Sequence, residues 1–435
     1  MSCPVVAPRC PRGMSGAPMA SLFLCLLLLF AASPGRAADS RLTPVLTLDQ
    51  AIRRAVERAP MLDARRAQTL AAQEEARRAA ALPDPKLSLG IQDLPVTGAE
   101  AFDSSVDNFT MKKIGVTQEF PARAKRDARQ ALADRTIDQA TALTSAEELA
   151  VKRAAAEAWV SLWAAKHEVE ALQTLREEST LAVRIAKARL SGGAGSAVDV
   201  LATQAATLEL DNRLEAARTQ VESARAILGR WLGGNPEAAA DTSPDFTNLP
   251  ISEAVLLKSL DRLGPLLPWQ AREQMASAQV DLARAEKHPD WSVGVSYGQR
   301  NRFSDLVSVE FSIDLPLFPG NRQDRGIAAR QADYEATRDA HEDAHRAQLQ
   351  QLQTDLAQWA GLKRQVARDE EQLLPLARDR SRIALAAYRG GGELQPWLNA
   401  RRDEIETRIA HARMAGELGR AWAALAFLLP EERTP

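Results

Sequence analysis

Between Ala122 and Ser191 the chain contains neither glycine nor proline. Those are the two residues that most reliably end a helix. Their absence predicts one helix of about 69 residues, ~100 Å long at 1.5 Å per residue. With aromatics at only 5% of the chain, this reads as long, surface-rich helices rather than a thick globule. The turn Ser191-Gly192-Gly193-Ala194-Gly195-Ser196 then reverses the chain. From about Ala197 to Leu232 a second helix follows, with apolar Leu210, Leu214, Ala217, Val221, Ala224, Leu228 and Trp231. Their steps alternate four and three, a mean of about 3.5, which is the coiled-coil period and implies supercoiling against neighbours.

Four short segments have a different period. Leu87, Leu89 and Ile91 oppose Ser88, Gly90 and Gln92, and Ile114, Val116, Gln118 and Phe120 form a less regular second series. Trp291, Val293, Val295 and Tyr297 oppose Ser292, Gly294, Ser296 and Gly298, and Val307, Val309, Phe311, Ile313 and Leu315 oppose Ser308, Glu310, Ser312 and Asp314. Alternation of this kind predicts strands with one apolar and one polar face. They form two hairpins, with loops around Leu94–Asn108 and Arg300–Asp305. The plan recurs along the chain. Leu87-Ser88-Leu89-Gly90 answers to Trp291-Ser292-Val293-Gly294, Thr117–Pro121 to Ser312–Pro316, and the first glycine turn to Gly390-Gly391-Gly392. The offset is about 200 residues each time, an internal duplication rather than a solenoid array.

Four strands cannot close a barrel, and an open sheet leaves unpaired edge groups. The helices are too long to serve as a cover for strands of ~30 Å. Lipid can cover an apolar face, but lipid admits sheets only as closed barrels. The strands therefore predict a barrel shared between copies: two copies give eight strands, too narrow for a wide channel, and three give twelve. Trp291, Tyr297, Phe303 and Phe120 fall near strand ends, where interfacial aromatics belong.

The rest of the composition excludes more than it suggests. Lys+Arg number 55 against 57 Asp+Glu, a balance that argues against a nucleic-acid partner. Arg9 and Arg12 precede an apolar run from Leu22 to Ala32 and small residues at Gly35–Ala38, the layout of a secretory signal peptide. The expected division is 1–38 signal peptide, 39–250 first repeat and 251–435 second repeat. Cleavage removes Cys3, Cys10 and Cys25, so neither a disulfide framework nor a thiol enzyme is expected. His341-Glu342-Asp343-Ala344-His345 matches the zinc-protease pattern. Asp343 and Arg346 put charges where such helices are apolar, and a third ligand such as Glu370 stands ~37 Å along the helix. His341 and His345 remain candidates for a weak metal contact only; no catalytic residue and no cofactor is expected.

Two further features concern the long helices. Arg123, Lys125, Arg126 and Arg129, then Arg322, Arg325 and Arg330, crowd their starts and oppose the helix dipole. Either phospholipid phosphate at a membrane rim or neighbouring Asp and Glu compensates them. The second long helix, about Ile327 to Arg389, carries Gly361 and Pro375, and Pro375 predicts a kink there.

In this order of parts, from Leu46-Thr-Leu-Asp-Gln-Ala51 through both hairpins and both glycine turns, the chain resembles the TolC-like outer-membrane efflux family. Leu82-Pro83-Asp84-Pro85-Lys86 and Met111–Pro121 look most like its heavy-metal branch. The resemblance implies a mainly α fold with a small β part: duplicated coiled-coil hairpins forming an α-barrel, and two β-hairpins giving four strands to a trimeric 12-stranded transmembrane β-barrel. It implies a passive outer-membrane conduit, with the tunnel in the periplasm of a Gram-negative cell. Its partners are a homotrimer of itself, a periplasmic adaptor (membrane fusion) protein, an inner-membrane RND-type pump and outer-membrane lipid. Cargo is expected to be heavy-metal cations, with multidrug efflux or type I secretion as alternatives. Carried over, the adaptor-docking and gate positions are Arg189, Gly193, Gly195, Asp199, Val200, Tyr388, Gly391, Gly392, Glu393, Trp397 and Leu398. A periplasmic coiled-coil structural or adaptor protein explains the heptads but leaves the four strands without a purpose.

Overall fold

The computed structural model describes residues 46–234, 244–390 and 392–430. The expected leader, residues 235–243 of the region between the repeats, and Gly391 lie outside them. A capping box starts helix α1 (Leu48–Arg58): Gln50 N donates to Thr47 Oγ1 at 3.3 Å, and Thr47 N to Gln50 Oε1 at 3.2 Å. Helix α2 (Pro60–Ala79) follows with proline in its first turn, then strands β1 (Lys86–Gln92) and β2 (Met111–Phe120). The predicted rod is α3, Arg123–Ser191, unbroken over 69 residues, and its return partner is α4, Ala197–Leu232. The second half repeats the order with α5 (Glu253–Lys258), α6 (Leu267–Ala285), β3 (Trp291–Arg300), β4 (Leu306–Ile313), α7 (Gln323–Arg368), α8 (Leu374–Arg389) and α9 (Leu394–Ala426).

The heptad reading of α4 is accurate up to its last step. Leu210, Leu214, Ala217, Val221, Ala224 and Leu228 are buried, while Trp231 is half-exposed and Leu232 takes the final inward place. The last step is four because the supercoil relaxes toward 3.6 residues per turn where α4 enters the core. Toward the tip, Leu172 and Leu175 of α3, Leu210 and Leu214 of α4, and Ile405 and Ile409 of α9 form one cluster. Away from the tip the core thickens. Between Val151 and Ala165, α3 buries residues on nearly every side, and its alanines let α1, α4 and α9 approach closely. Trp159, fully buried, donates its indole N–H to the Leu46 carbonyl at 2.9 Å. Trp359 and Trp422 donate to the carbonyls of Phe246 and Asn248, at 3.0 and 2.8 Å, and so tether the segment between the halves to α7 and α9.

The two hairpins join into a single antiparallel sheet, in the order β1-β2-β3-β4. Its register aligns Leu89, Ile114, Tyr297 and Val307 across all four strands. One face therefore collects the apolar side chains, and they lie open: Leu89 and Val309 are each 72% exposed. The other face carries Ser88, Gly115, Ser296 and Ser308 in one row. Strands β1 and β4 have no second partner strand among the described residues. Where β2 becomes α3, Asp290 accepts from Ala122 N and from Lys125 Nζ, each at 2.7 Å. Arg123 reaches Asp127 at 3.6 Å and Arg330 reaches Asp333 at 2.9 Å. For these three cations the compensating charge is a neighbouring carboxylate.

The second long helix changes its winding just before the proline rather than ending there. A π-helical turn, Asp369–Leu373, separates α7 from α8, and Pro375 stands in the first turn of α8. Proline has no N–H for the i−4 carbonyl and its ring pushes that carbonyl aside; the extra residue of a π turn absorbs the displacement. Gly361 leaves α7 intact.

Candidate functional site

The predicted residues fall at the two hairpin tips. At the first, Gly192 N donates to Ala188 O at 3.0 Å and Ala194 N to Arg189 O at 2.9 Å, closing α3. Gly193 has φ +74°, where a side chain would be strained. At Gly195 a Cβ would stand 2.9 Å from both Arg189 Cβ and Leu190 N, so no larger residue fits without moving the turn. Ser196 then caps α4: Val198 N donates to Ser196 Oγ at 3.0 Å, and Ser196 N to Asp199 Oδ2 at 3.3 Å. Asp199 is thus a capping carboxylate at the positive end of the helix dipole. Val200 is buried and anchors the first turn of α4.

At the second tip Gly390 N donates to Ala386 O and Gly392 N to Ala387 O, both at 3.0 Å. A Cβ on Gly392 would stand 2.9 Å from the Ala387 carbonyl oxygen. Glu393 is the exposed residue preceding α9, and its side chain makes no cap hydrogen bond. Trp397, in the first turn of α9, stacks on Tyr388 with centroids 5.8 Å apart and planes 9° from parallel. Arg189 of the first tip lies over the Tyr388 ring at 5.8 Å. Arg189, Tyr388 and Trp397 are thereby brought together, and they set the two tips at the same level.

Behind them lies a groove of about 1100 Å³ between the hairpins, lined in part by Arg189, Asp199, Glu393, Trp397 and Leu398. Its walls hold six carboxylates and six guanidiniums, so the groove of one chain has no net preference for cations. Several of these charges escaped the reading of the sequence. Glu404, 1% exposed, accepts from Arg401 and, at 2.5 Å, from Arg408. Arg401 also holds Glu178 of α3. Arg213 of α4 grips Glu406 through both terminal nitrogens, one at 3.0 Å, and Arg413 grips Glu168. The Arg213 hydrogen bond holds the Glu406 carboxyl below the ordinary glutamate range. The signal was the spacing Arg401, Glu404, Arg408 on one helix face.

The two histidines of the protease-like pattern are drawn to different acids. His341 Nδ1 lies 3.2 Å from Glu273, with its ring stacked on Trp269, and His345 Nε2 lies 3.5 Å from Asp261. They tie α7 to α6 and to the turn before it.

A family model described as "Outer membrane efflux protein" matches residues 51–234 and 260–430. Among curated proteins, the multidrug resistance outer membrane protein MdtP of Escherichia coli is 26% identical over 206 residues, 44% of this chain and 42% of that protein. The chain therefore aligns with less than half the length of this relative. Among solved structures, a membrane protein from Pseudomonas aeruginosa superposes with TM-score 0.74 at 17% identity, over 87% of this chain and 92% of that one. VceC of Vibrio cholerae gives 0.69 at 18%, over 88% and 96%, and CusC 0.73 at 13%, over 88% and 92%. At these identities the likeness is one of fold.

Proposed function

The chain belongs to the outer membrane efflux protein family, and from that premise we propose that three copies form a passive conduit through the outer membrane of a Gram-negative cell. The observation that carries this reading is the sheet. It has an exposed apolar face and two open edges, in a chain where no described helix is long and apolar enough to cross a membrane. Three such sheets, β1 of one copy beside β4 of the next, make twelve strands with the apolar face toward lipid and the serine face toward the lumen. The helical hairpins extend the conduit into the periplasm. Residues 1–38 are removed on export, and residues 39–250 and 251–435 are the two repeats.

The tips are the docking and gating end, where a periplasmic adaptor and, through it, an inner-membrane RND-type pump engage Arg189–Val200 and Tyr388–Leu398. Three copies each of Asp199 and Glu393 would ring the mouth there. The cargo is heavy-metal cations or drugs: the sequence around β1 and β2 resembles the metal branch, whereas the curated relative carries a multidrug name. The test is biochemical. The full chain, expressed in a Gram-negative host, should sediment with outer membranes, run as an SDS-resistant oligomer that dissociates on heating, and conduct ions in a planar bilayer. A detergent-free, water-soluble monomer overturns the proposal. Loss of metal tolerance but not drug tolerance in a deletion strain assigns the cargo to metals, and the reverse assigns it to drugs.

A further inference from the structure

The two halves turn from strand to long helix in different ways. Only Pro121 and Ala122 stand between β2 and α3, whereas residues 314–322 separate β4 from α7. The longer connection holds Leu315-Pro316-Leu317-Phe318-Pro319, an apolar run where a connection in water is ordinarily polar. Leu315, Leu317 and Phe318 are 63%, 65% and 84% exposed. Phe318 has φ +58°, a left-handed backbone that a bulky residue seldom takes. Leu317 N donates to Leu315 O at 2.8 Å and Arg322 N to Pro319 O at 3.1 Å, so two tight turns hold these side chains out. Leu315 continues the series Val307, Val309, Phe311 and Ile313 on the open apolar face of the sheet. At that end Phe120 stacks on Trp291 with centroids 4.2 Å apart, and Trp291 lies 5.8 Å from Phe311. Aromatic side chains gather at the edge of a bilayer's apolar layer. Strands β2 and β3 have 10 residues each. At ~3.3 Å per residue and a tilt of ~40° such strands cover ~25 Å, the height of a barrel's apolar band. The run after β4 therefore falls just beyond that band, at the level of lipid headgroups. Arg322 and Arg325 come next, both exposed. Arg123, Lys125 and Arg330 have carboxylate partners, but these two have none among the described residues, and Asp324 is held by Lys287 at 2.5 Å.

We infer that residues 315–325 are a lipid anchor outside the barrel: Leu317 and Phe318 enter the periplasmic leaflet, and Arg322 and Arg325 hold phospholipid phosphates. The inference rests on the barrel reading above and adds a segment, beyond the strands, that binds phospholipid. Two observations choose lipid over a second copy. A neighbouring copy meets β4 along its edge, in the plane of the sheet, whereas Leu315 follows the face that stands perpendicular to that plane. Exposed apolar side chains followed at once by unpaired arginines are also the make-up of an interfacial segment, greasy residues among acyl chains and long cations reaching phosphate. Guanidinium suits phosphate because it can offer two parallel N–H donors. The first half, with two residues at the same joint, has no counterpart, so each copy supplies one anchor.

The described residues contain no cysteine, so a nitroxide on one added cysteine reports its own surroundings. Leu317→Cys, Phe318→Cys, Val309→Cys and Val198→Cys are labelled singly in the full chain and reconstituted in vesicles of phosphatidylethanolamine and phosphatidylglycerol. Power-saturation EPR then reads collision with oxygen, which gathers in lipid, and with a neutral nickel chelate, which stays in water. Val309 on the sheet face sets the lipid value, Val198 near the tip sets the water value, and the parent chain sets the background. The oxygen-to-nickel ratio at 317 and 318 should exceed that at 198 on the order of threefold and stay below that at 309, since an interfacial segment sits only ~5–10 Å deep. Adding Arg322→Gln and Arg325→Gln should lower the ratio at 318 about twofold, because each arginine near an anionic surface is a separate attraction. An unchanged ratio overturns the phosphate contacts. A ratio at 317 and 318 equal to that at 198 leaves the segment in water and overturns the anchor. Collision with neither reagent means that protein covers it, a second copy included, and overturns the anchor as well. In both cases a lipid value at 309 keeps the barrel. A water value at 309 overturns the underlying reading together with the anchor.

Discussion

A close helix contact through two glycines in the core makes a prediction whose sign can be worked out in advance. Helix α9 lies on α3 through Gly416 and Gly419. A Cβ at 416 would stand 2.5 Å from Ala164 Cβ, and one at 419 would stand 2.7 Å from Val160 Cγ1 and 3.0 Å from Phe246 Cε2. Carbon atoms prefer about 3.5–4.0 Å, so Gly416→Ala forces α9 and α3 apart by about 1 Å. The obstructing atom is the stub of an alanine on helix backbone, with no rotamer to yield. Alanine gains ~0.5–1 kcal/mol over glycine in a helix interior, and overpacking costs ~1–3 kcal/mol. The expected net loss is about 1–2 kcal/mol. Gly361, inside α7, has nothing within 4 Å of its would-be Cβ, so Gly361→Ala keeps only the gain, ~0.5–1 kcal/mol. Thermal unfolding followed by far-ultraviolet circular dichroism in one detergent, at one scan rate, should lower the midpoint for the first variant and raise it for the second. The shift is on the order of 1–2 °C per kcal/mol in a chain of this size. Movement of both midpoints in the same direction would refute the claim that close approach of backbones, rather than helix propensity, sets residue 416.

Three further outcomes follow from the tip region. The Glu406 carboxyl is held below its ordinary value by Arg213, so its contribution is present above about pH 4.5 and is lost as pH falls through the folded value. The midpoint gap between the unmodified protein and Arg213→Met should accordingly narrow from neutral pH to about pH 3, and a gap that stays constant refutes the pairing. Arg401→Met leaves buried Glu404 with Arg408 alone and should cost ~1–3 kcal/mol in the same melts; adding Glu404→Gln should recover part of it, and no recovery counts against a charge effect. Pro375→Ala alone should leave the π turn, whose extra residue remains, whereas Pro375→Ala with deletion of Leu373 should convert it to α-helix and slow amide exchange over 369–372; equal exchange in the two variants refutes the π turn as the weak point of the helix.

What could be read from the sequence was whatever local chemistry decides. The rod α3 was legible because nothing in Ala122–Ser191 can break a helix, and the inward face of α4 because its apolar residues keep one period. The four strands were legible because of their side-chain period, although their limits were not: β2 begins at Met111, before the alternation, β3 runs on to Arg300, and β4 ends at Ile313 rather than Leu315. Two further things were not legible, and for one physical reason. That β2 and β3 join the hairpins into one sheet, and that α3, α4 and α9 are laced by Arg401–Glu178, Arg213–Glu406 and Arg413–Glu168, are facts about partners 170 to 250 residues apart. An arginine on a helix surface looks the same whether its carboxylate is on the next turn or on a neighbouring helix. At the tips, the glycines announced a reversal, but only the folded chain assigns Asp199 to a cap and Val200 to an anchor.

The duplication makes the remaining difference between the halves interpretable. Both halves send a long helix from the sheet to a glycine turn and bring a shorter one back, so each departure of the second from the first can be traced to particular residues. In the first half α3 carries buried side chains nearly to its end, at Ala182 and Ala186. In the second, a π-helical turn at Asp369–Leu373 precedes Pro375, and of the residues in α8 beyond it only Ser381 is buried. A helix segment that begins at a π turn and buries almost nothing within its own chain has little to hold its direction except α9 and whatever lies along its open face. The direction of α8 is therefore set by its neighbours more than by its own half. Of the two hairpins, the second is the one whose own packing constrains it less, and the first, buried nearly to its tip, is the more firmly held.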